Sequence, residues 1–140
     1  GPFPTECDMP NADDLYNVRG KWQGDFRVGH LDNSLLRYSL DVLGSVDYLA
    51  VNHIDQMEEP WKMCVTHSYD GGIFGNIQHD KNPTLDGQQQ LGKNLAQSRP
   101  EEYVDLNSLE DFQDWMNVPI LMAGYGPSAD KKLWLRNLPK

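Results

Sequence analysis

Residues 61–74 read WKMCVTHSYDGGIF, and the way this run is read decides the fold. Its first nine residues are rich in aromatic, β-branched and sulfur side chains, and Asp70-Gly71-Gly72 supplies a turn that ends a strand. Period-two alternation places Met63, Val65, His67 and Tyr69 on one face and Cys64, Thr66 and Ser68 on the other. Both faces carry apolar groups, so the strand is at least half buried on each side. One of the 2 cysteines and a histidine sit inside it, which makes it the first place to look for chemistry.

Outward on the N-terminal side, residues 46–54 (VDYLAVNHI) read as a strand with apolar groups on both faces. The acidic turn over 55–60, with Glu58-Glu59, joins it to the first strand and predicts a hairpin that brings His53 near His67. A histidine in such a strand more commonly completes a core or edge hydrogen bond than serves catalysis. Before that, Leu35, Leu36, Leu40 and Leu43 recur at helical spacing, with Asp32 or Ser34 as a cap and Gly44 as the stop. In residues 20–28 Trp22, Phe26 and Val28 share one face and Lys21, Gln23, Asp25 and Arg27 the other, the pattern of a half-buried strand.

On the C-terminal side, residues 75–99 are Asn-, Gln- and Gly-rich and lack a lasting period, so a long loop is expected over 75–105. Ser108 and Asp111 have capping-box spacing, and Leu109, Phe112, Trp115 and Met116 form the apolar stripe of a second helix that Pro119 stops. Residues 118–122 and 132–138 complete the pattern as two strands around a turn at 124–127. The expected architecture is α+β: an antiparallel sheet with two short helices, in which Trp22, Trp61 and Trp115 meet in one core. Residues 1–14 read as an N-terminal arm, its Gly1-Pro2 resembling the stub of a cleaved expression tag, and 15–140 as a single domain.

The formal net charge is −9, from 21 acids against 12 bases. Lys131, Lys132 and Arg136 form the sole short basic group, so a nucleic-acid polyanion is repelled and RNA binding is expected to be weak or absent. No run approaches the length of a membrane span. Cys7 and Cys64 have no zinc-type spacing. A disulfide between them is the expected reading, which would close a long loop and add about 4 kcal/mol; two buried thiols are the alternative. The disulfide reading goes with a secreted, extracellular chain. No phosphate loop, nucleophile elbow or metal motif appears, no cofactor is implied, and adjacent carboxylates such as Asp13-Asp14 read as solvated surface. His79-Asp80 is the one pair that suggests a surface metal.

Three patches carry a resemblance. Thr66-His67-Ser68-Tyr69-Asp70-Gly71-Gly72-Ile73-Phe74 resembles the Pro-His-x-Tyr strand and Glu-Gly-Phe turn of the small microbial and fungal guanyl-specific ribonucleases. Asn117-Val118-Pro119-Ile120-Leu121 is similar to the family's Glu-aromatic-Pro-Ile-Leu strand, and Pro127-Ser128-Ala129-Asp130-Lys131 to its Pro-Gly-Ala-Asp-Arg segment. The resemblance implies a ribonuclease-like scaffold, as in the RNase-like secreted effectors of plant-pathogenic fungi. If it also implies a nuclease, His67, Tyr69 and Lys131 are its candidate residues.

The departures bear on activity, because this chemistry needs a base, an acid and fixed cations. Asn117 stands where the family has its glutamate base, Lys131 where it has an arginine, and the final histidine strand has no counterpart. The resemblance therefore implies a scaffold used for binding, not an enzyme: an effector-like protein that takes a protein partner, a host protein if the chain is delivered into a host. The expected partner surface is Tyr69, Gln88, Gln89, Gln90 and Tyr125. Two alternatives stand beside it, an active ribonuclease using His67 and a small-ligand barrel, since Gly20-Lys21-Trp22 resembles the Gly-x-Trp start of lipocalins.

Overall fold

The computed structural model describes residues 1–9, 19–57 and 60–135. Asp13, Asp14, the domain start at Leu15, Glu58, Glu59 and Arg136 lie outside them, as does the end of the strand expected over 132–138. The central element is β3 (Trp61–Tyr69). A strand has two edges, and both of these are used. β5 (Arg99–Leu106) runs antiparallel along one edge from Trp61 to Ser68. On the other edge β1 (Leu31–Asp32) pairs in parallel with Met63 and Cys64, and β4 (Gly72–Phe74) pairs in antiparallel fashion with His67, Ser68 and Tyr69. Asp70 (φ 49) and Gly71 (φ 77) make the turn between β3 and β4, a left-handed pair that favours glycine and aspartate.

With β3 saturated, the expected hairpin with residues 46–54 has no edge to form on. That segment shortens to β2 (Leu49–Val51) and pairs in parallel with β6 (Ile120–Gly124). β6 takes β7 (Lys132–Trp134) antiparallel on its far side, so a second, three-stranded sheet stands beside the first. The strand expected over 20–28 is not formed. Among the described residues this stretch makes bends, and Trp22 is 91% exposed with Lys21 Nζ over its ring.

Both expected helices are present. α1 (Asn33–Leu43) is capped by Asp32, whose Oδ1 accepts from the Leu35 amide, and ends at Gly44 with φ 81. α3 (Leu109–Met116) is capped by Ser108 and ends on Asn117 in the left-handed region. A third helix, α2 (Leu85–Gln97), replaces the middle of the expected 75–105 loop, and β5 replaces its end. Thr84 caps α2 by accepting from the Gly87 amide at 3.0 Å. The α+β class is therefore correct, with mixed instead of antiparallel sheets and, among the described residues, three α-helices instead of two.

Trp61, Met63, Leu106, Phe112, Met116 and Ile120 form the core, and Leu31, Leu36, Leu40, Leu49, Val51 and Ile54 pack around it. One apolar nucleus thus joins α1, α3 and both sheets, each large side chain contributing about 1.5–3 kcal/mol by its burial. Only Trp61 of the three expected tryptophans belongs to it, since Trp115 is 38% exposed. The Arg37 guanidinium donates to the Trp115 carbonyl and ties α1 to the end of α3.

Candidate functional site

Two groups of polar side chains are assembled by this fold, and burial separates their roles. The first surrounds His67. In an unbroken strand Cys64 and His67 would point to opposite faces. Here the register passes from Cys64↔Tyr103 to Thr66↔Glu102, so two steps of β3 oppose one of β5. That bulge reverses the alternation and brings Cys64 Sγ within 3.6 Å of His67 Nε2. Asp32 Oδ2 lies 3.0 Å from the same nitrogen, and Ser34 Oγ lies 3.5 Å from Nδ1 while donating to the Gly75 carbonyl at 2.9 Å. Phe74 stacks on the imidazole.

Asp32, His67 and Ser34 have the order of a catalytic triad but not its access, because Ser34 is 0% and His67 1% exposed. Nor is the thiol a nucleophile. Burial first, and the Asp32 carboxylate second, push Cys64 up to about 11, and its S–H donates to the Thr66 carbonyl. His67 therefore cannot act on RNA as the ribonuclease alternative required. Cys7 and Cys64 are both free thiols, so the expected disulfide is not formed; the arm is held by backbone pairing instead, with a Glu6↔Gly29 bridge and Thr5 Oγ1 donating to the His30 carbonyl. No group of three His, Cys, Asp or Glu side chains among the described residues is arranged for a metal. His79 faces Asp41 at 3.9 Å and Tyr38 edge-on.

The second group is open to solvent and lies where β2 and β6 end. Parallel strands finish at the same edge of a sheet, and ligands of α/β sheets bind outside those carboxyl ends. After β2 the chain passes through Asn52 and His53, the latter at φ 61, into a 3-10 turn at Ile54–Gln56 closed by the Gln56 amide on the His53 carbonyl. After β6, the Tyr125 amide donates to the Lys131 carbonyl at 2.8 Å and shuts a loop that carries Gly126, Pro127 and Ser128. Asn52, His53, Asp55, Tyr125 and Lys131 are exposed at this mouth. Lys132 enters it from β7, its Nζ 2.7 Å from the Gly126 carbonyl and 3.4 Å from Asn52 Oδ1.

The residues singled out from the sequence are scattered across this framework. Tyr125 and Lys131 fall at the mouth, His67 in the core, Tyr69 at the end of β3, and Gln88, Gln89 and Gln90 on the exposed surface of α2. Asn117 ends α3 with φ 53. Gln89 also lines a cleft of about 670 Å³ between α2 and the arm. Two cations line it, Lys93 and Arg27, and the latter is already held in two bonds by Glu6. Asn52, Asp55 and Gly124 stand in no sequence motif, and Lys132 reads in the sequence only as one of the short basic group. Their signal was two apolar runs, LAV and ILMA, each passing into a polar loop, but nothing local says that the two runs are parallel neighbours.

The described residues thus form a domain of helices and mixed sheets with a polar, solvent-open mouth at the ends of two parallel strands. No protein-family model matches the chain. It is similar to the adenylosuccinate synthetase of Aquifex aeolicus, 24% identical over 155 aligned positions that take in 99% of this chain and 35% of that protein. It is also similar to the adenylosuccinate synthetase of Frankia casuarinae, at 23% over 156 positions, 99% of this chain and 36% of that protein. Among solved structures, a fully ligated adenylosuccinate synthetase from Plasmodium falciparum superposes with a TM-score of 0.62 at 16% identity, over 97% of this chain and 36% of that one. That last likeness is one of fold alone. The chain spans about a third of the length of the curated relatives it matches.

These likenesses overturn the ribonuclease resemblance, which rested on three short patches where the similarity to adenylosuccinate synthetases runs through nearly the whole chain. The secreted, effector-like reading and its protein partner fall with it. The lipocalin alternative fails as well, since residues 20–28 form no strand and Trp22 stands in solvent.

Proposed function

We propose that this chain is a nucleotide-handling domain of the adenylosuccinate-synthetase kind, and that the mouth at the carboxyl ends of β2 and β6 receives a purine nucleotide. One observation carries the reading: alignment with two proteins named for making adenylosuccinate, itself a purine nucleotide, extends over 99% of the chain. The proposal covers recognition of a nucleotide and not the whole synthesis for which those relatives are named. The chemistry of the mouth supports it. Tyr125 offers a ring on which a base stacks, worth about 1–3 kcal/mol. The Asn52 amide both donates and accepts, the Asp55 carboxylate accepts, and Lys131 supplies a cation in an otherwise acidic chain. A net charge of −9 repels a long polyanion, yet a single nucleotide needs only one or two local cations.

Calorimetric titration with ATP, GTP, AMP and GMP, and with UTP as a pyrimidine control, tests the reading. Purine nucleotides should bind and UTP should not, and Tyr125→Ala should weaken the purine by about tenfold, or 1.4 kcal/mol. No purine binding at about millimolar concentration, or equal binding of UTP, would sink it.

A further inference from the structure

One side chain joins the two loops of the mouth. Lys132 begins β7 opposite Gly124; its ammonium donates to the carbonyl of Gly126, in the loop after β6, and lies against Asn52 Oδ1, in the segment after β2. The floor of this contact is Gly124. A Cβ at that position would stand 2.5 Å from Asn52 Oδ1 and 2.9 Å from Lys132 Nζ, separations at which something must move. Gly124 is not among the residues with positive φ, so its backbone does not require glycine. What the missing side chain provides is room for an amide and an ammonium to meet above the strand.

We propose that Lys132 is a positioning residue of the mouth: lying across the glycine floor, its ammonium fixes the separation of the loop after β2 from the loop after β6. The proposal rests on the reading of this mouth as the nucleotide site. An ammonium on a flexible stem has three donors, and here two of them face the two loops. Loops already held at their working separation lose less freedom when a ligand orders them, which raises affinity without a new contact to the ligand. A plain charge contact to phosphate would act differently, because it would depend on the cation and not on where the cation is held.

Two variants separate these cases. Lys132→Met keeps the stem and removes the donors. Gly124→Ala keeps the charge and displaces it, and since the atoms it meets are the ends of flexible side chains, the fold should survive, as circular dichroism would verify. In both, amide exchange at Tyr125 and Gln56 should quicken by about tenfold and affinity for ATP and GTP should fall by a similar factor, with Lys132→Arg restoring part of each. Gly124→Ala binding like wild type while Lys132→Met fails would overturn the proposal and leave Lys132 as a charge contact. If the wild type binds neither nucleotide, the nucleotide reading fails by itself and exchange decides: unchanged rates at Tyr125 and Gln56 in both variants refute the positioning role, and quickened rates sustain it.

Discussion

Asp32 uses its two carboxylate oxygens for different purposes. Oδ1 caps α1 through the Leu35 amide at 3.1 Å, and Oδ2 holds His67 Nε2 at 3.0 Å inside the core. Losing a cap costs about 1 kcal/mol, and leaving a buried N–H without a partner costs about 1–3 more. Asp32→Ala should therefore destabilise the protein by about 2–4 kcal/mol in urea unfolding, and Asp32→Asn, which keeps a cap acceptor, by less. A loss near 1 kcal/mol for Asp32→Ala would mean that the histidine contact adds nothing. The capping half of this role was legible, because an aspartate before a leucine period is a helix start. The other half was not, since it depends on the bulge at 64–66, and a bulge is set by the partner strand and leaves no mark in the alternation.

Among the elements, the N-terminal arm is the one whose attachment responds to acid. The Cys7 amide donates to the Val28 carbonyl and the His30 amide to the Thr5 carbonyl, both at 3.1 Å, and Glu6 holds Arg27. The hydrogen bond from Arg27 lowers Glu6 below its ordinary 4.5, while burial, then Lys62, lowers His30 below its ordinary 6.5. Both shifts have the same sign. Each group binds protons less readily in the folded protein, so its contribution is complete above the ordinary value and is lost as pH falls through the lowered one. Protection of the Cys7 and His30 amides should therefore drop from below about pH 6.5 and again from below about 4.5, with Glu6→Gln erasing the lower step. Equal protection at both ends of that range would refute it. This docking was hidden in the sequence, and so were α2 and β5. In α2, Gly87, Gly92 and four glutamines mask the period that Leu91 and Leu95 begin. In β5, Pro100 counts against a strand, yet a proline is tolerated where a strand has one neighbour only, and among the described residues β5 pairs with β3 alone.

For the whole molecule, the sequence carried the class of fold, both outer helices and the central strand, because these follow from local period and capping. It did not carry the pairing of distant strands, and with that the mouth between β2 and β6 was out of reach. A short likeness in three patches then drew the functional reading toward ribonucleases. The saturation of β3 has a consequence of another kind. Nine residues as apolar as WKMCVTHSY make a template for strand addition whenever an edge opens, and a third of one edge is closed by the three residues of β4 alone. Gly71 at φ 77 holds that closure, and a β-branched residue there costs about 1–2 kcal/mol of backbone strain. Gly71→Val should thus leave the melting temperature only modestly lower while light scattering at rest rises steeply with protein concentration. A variant that stays monodisperse would show that the edge is guarded elsewhere. The tip of this hairpin would then serve as a guard on the edge of the central strand as well as a turn.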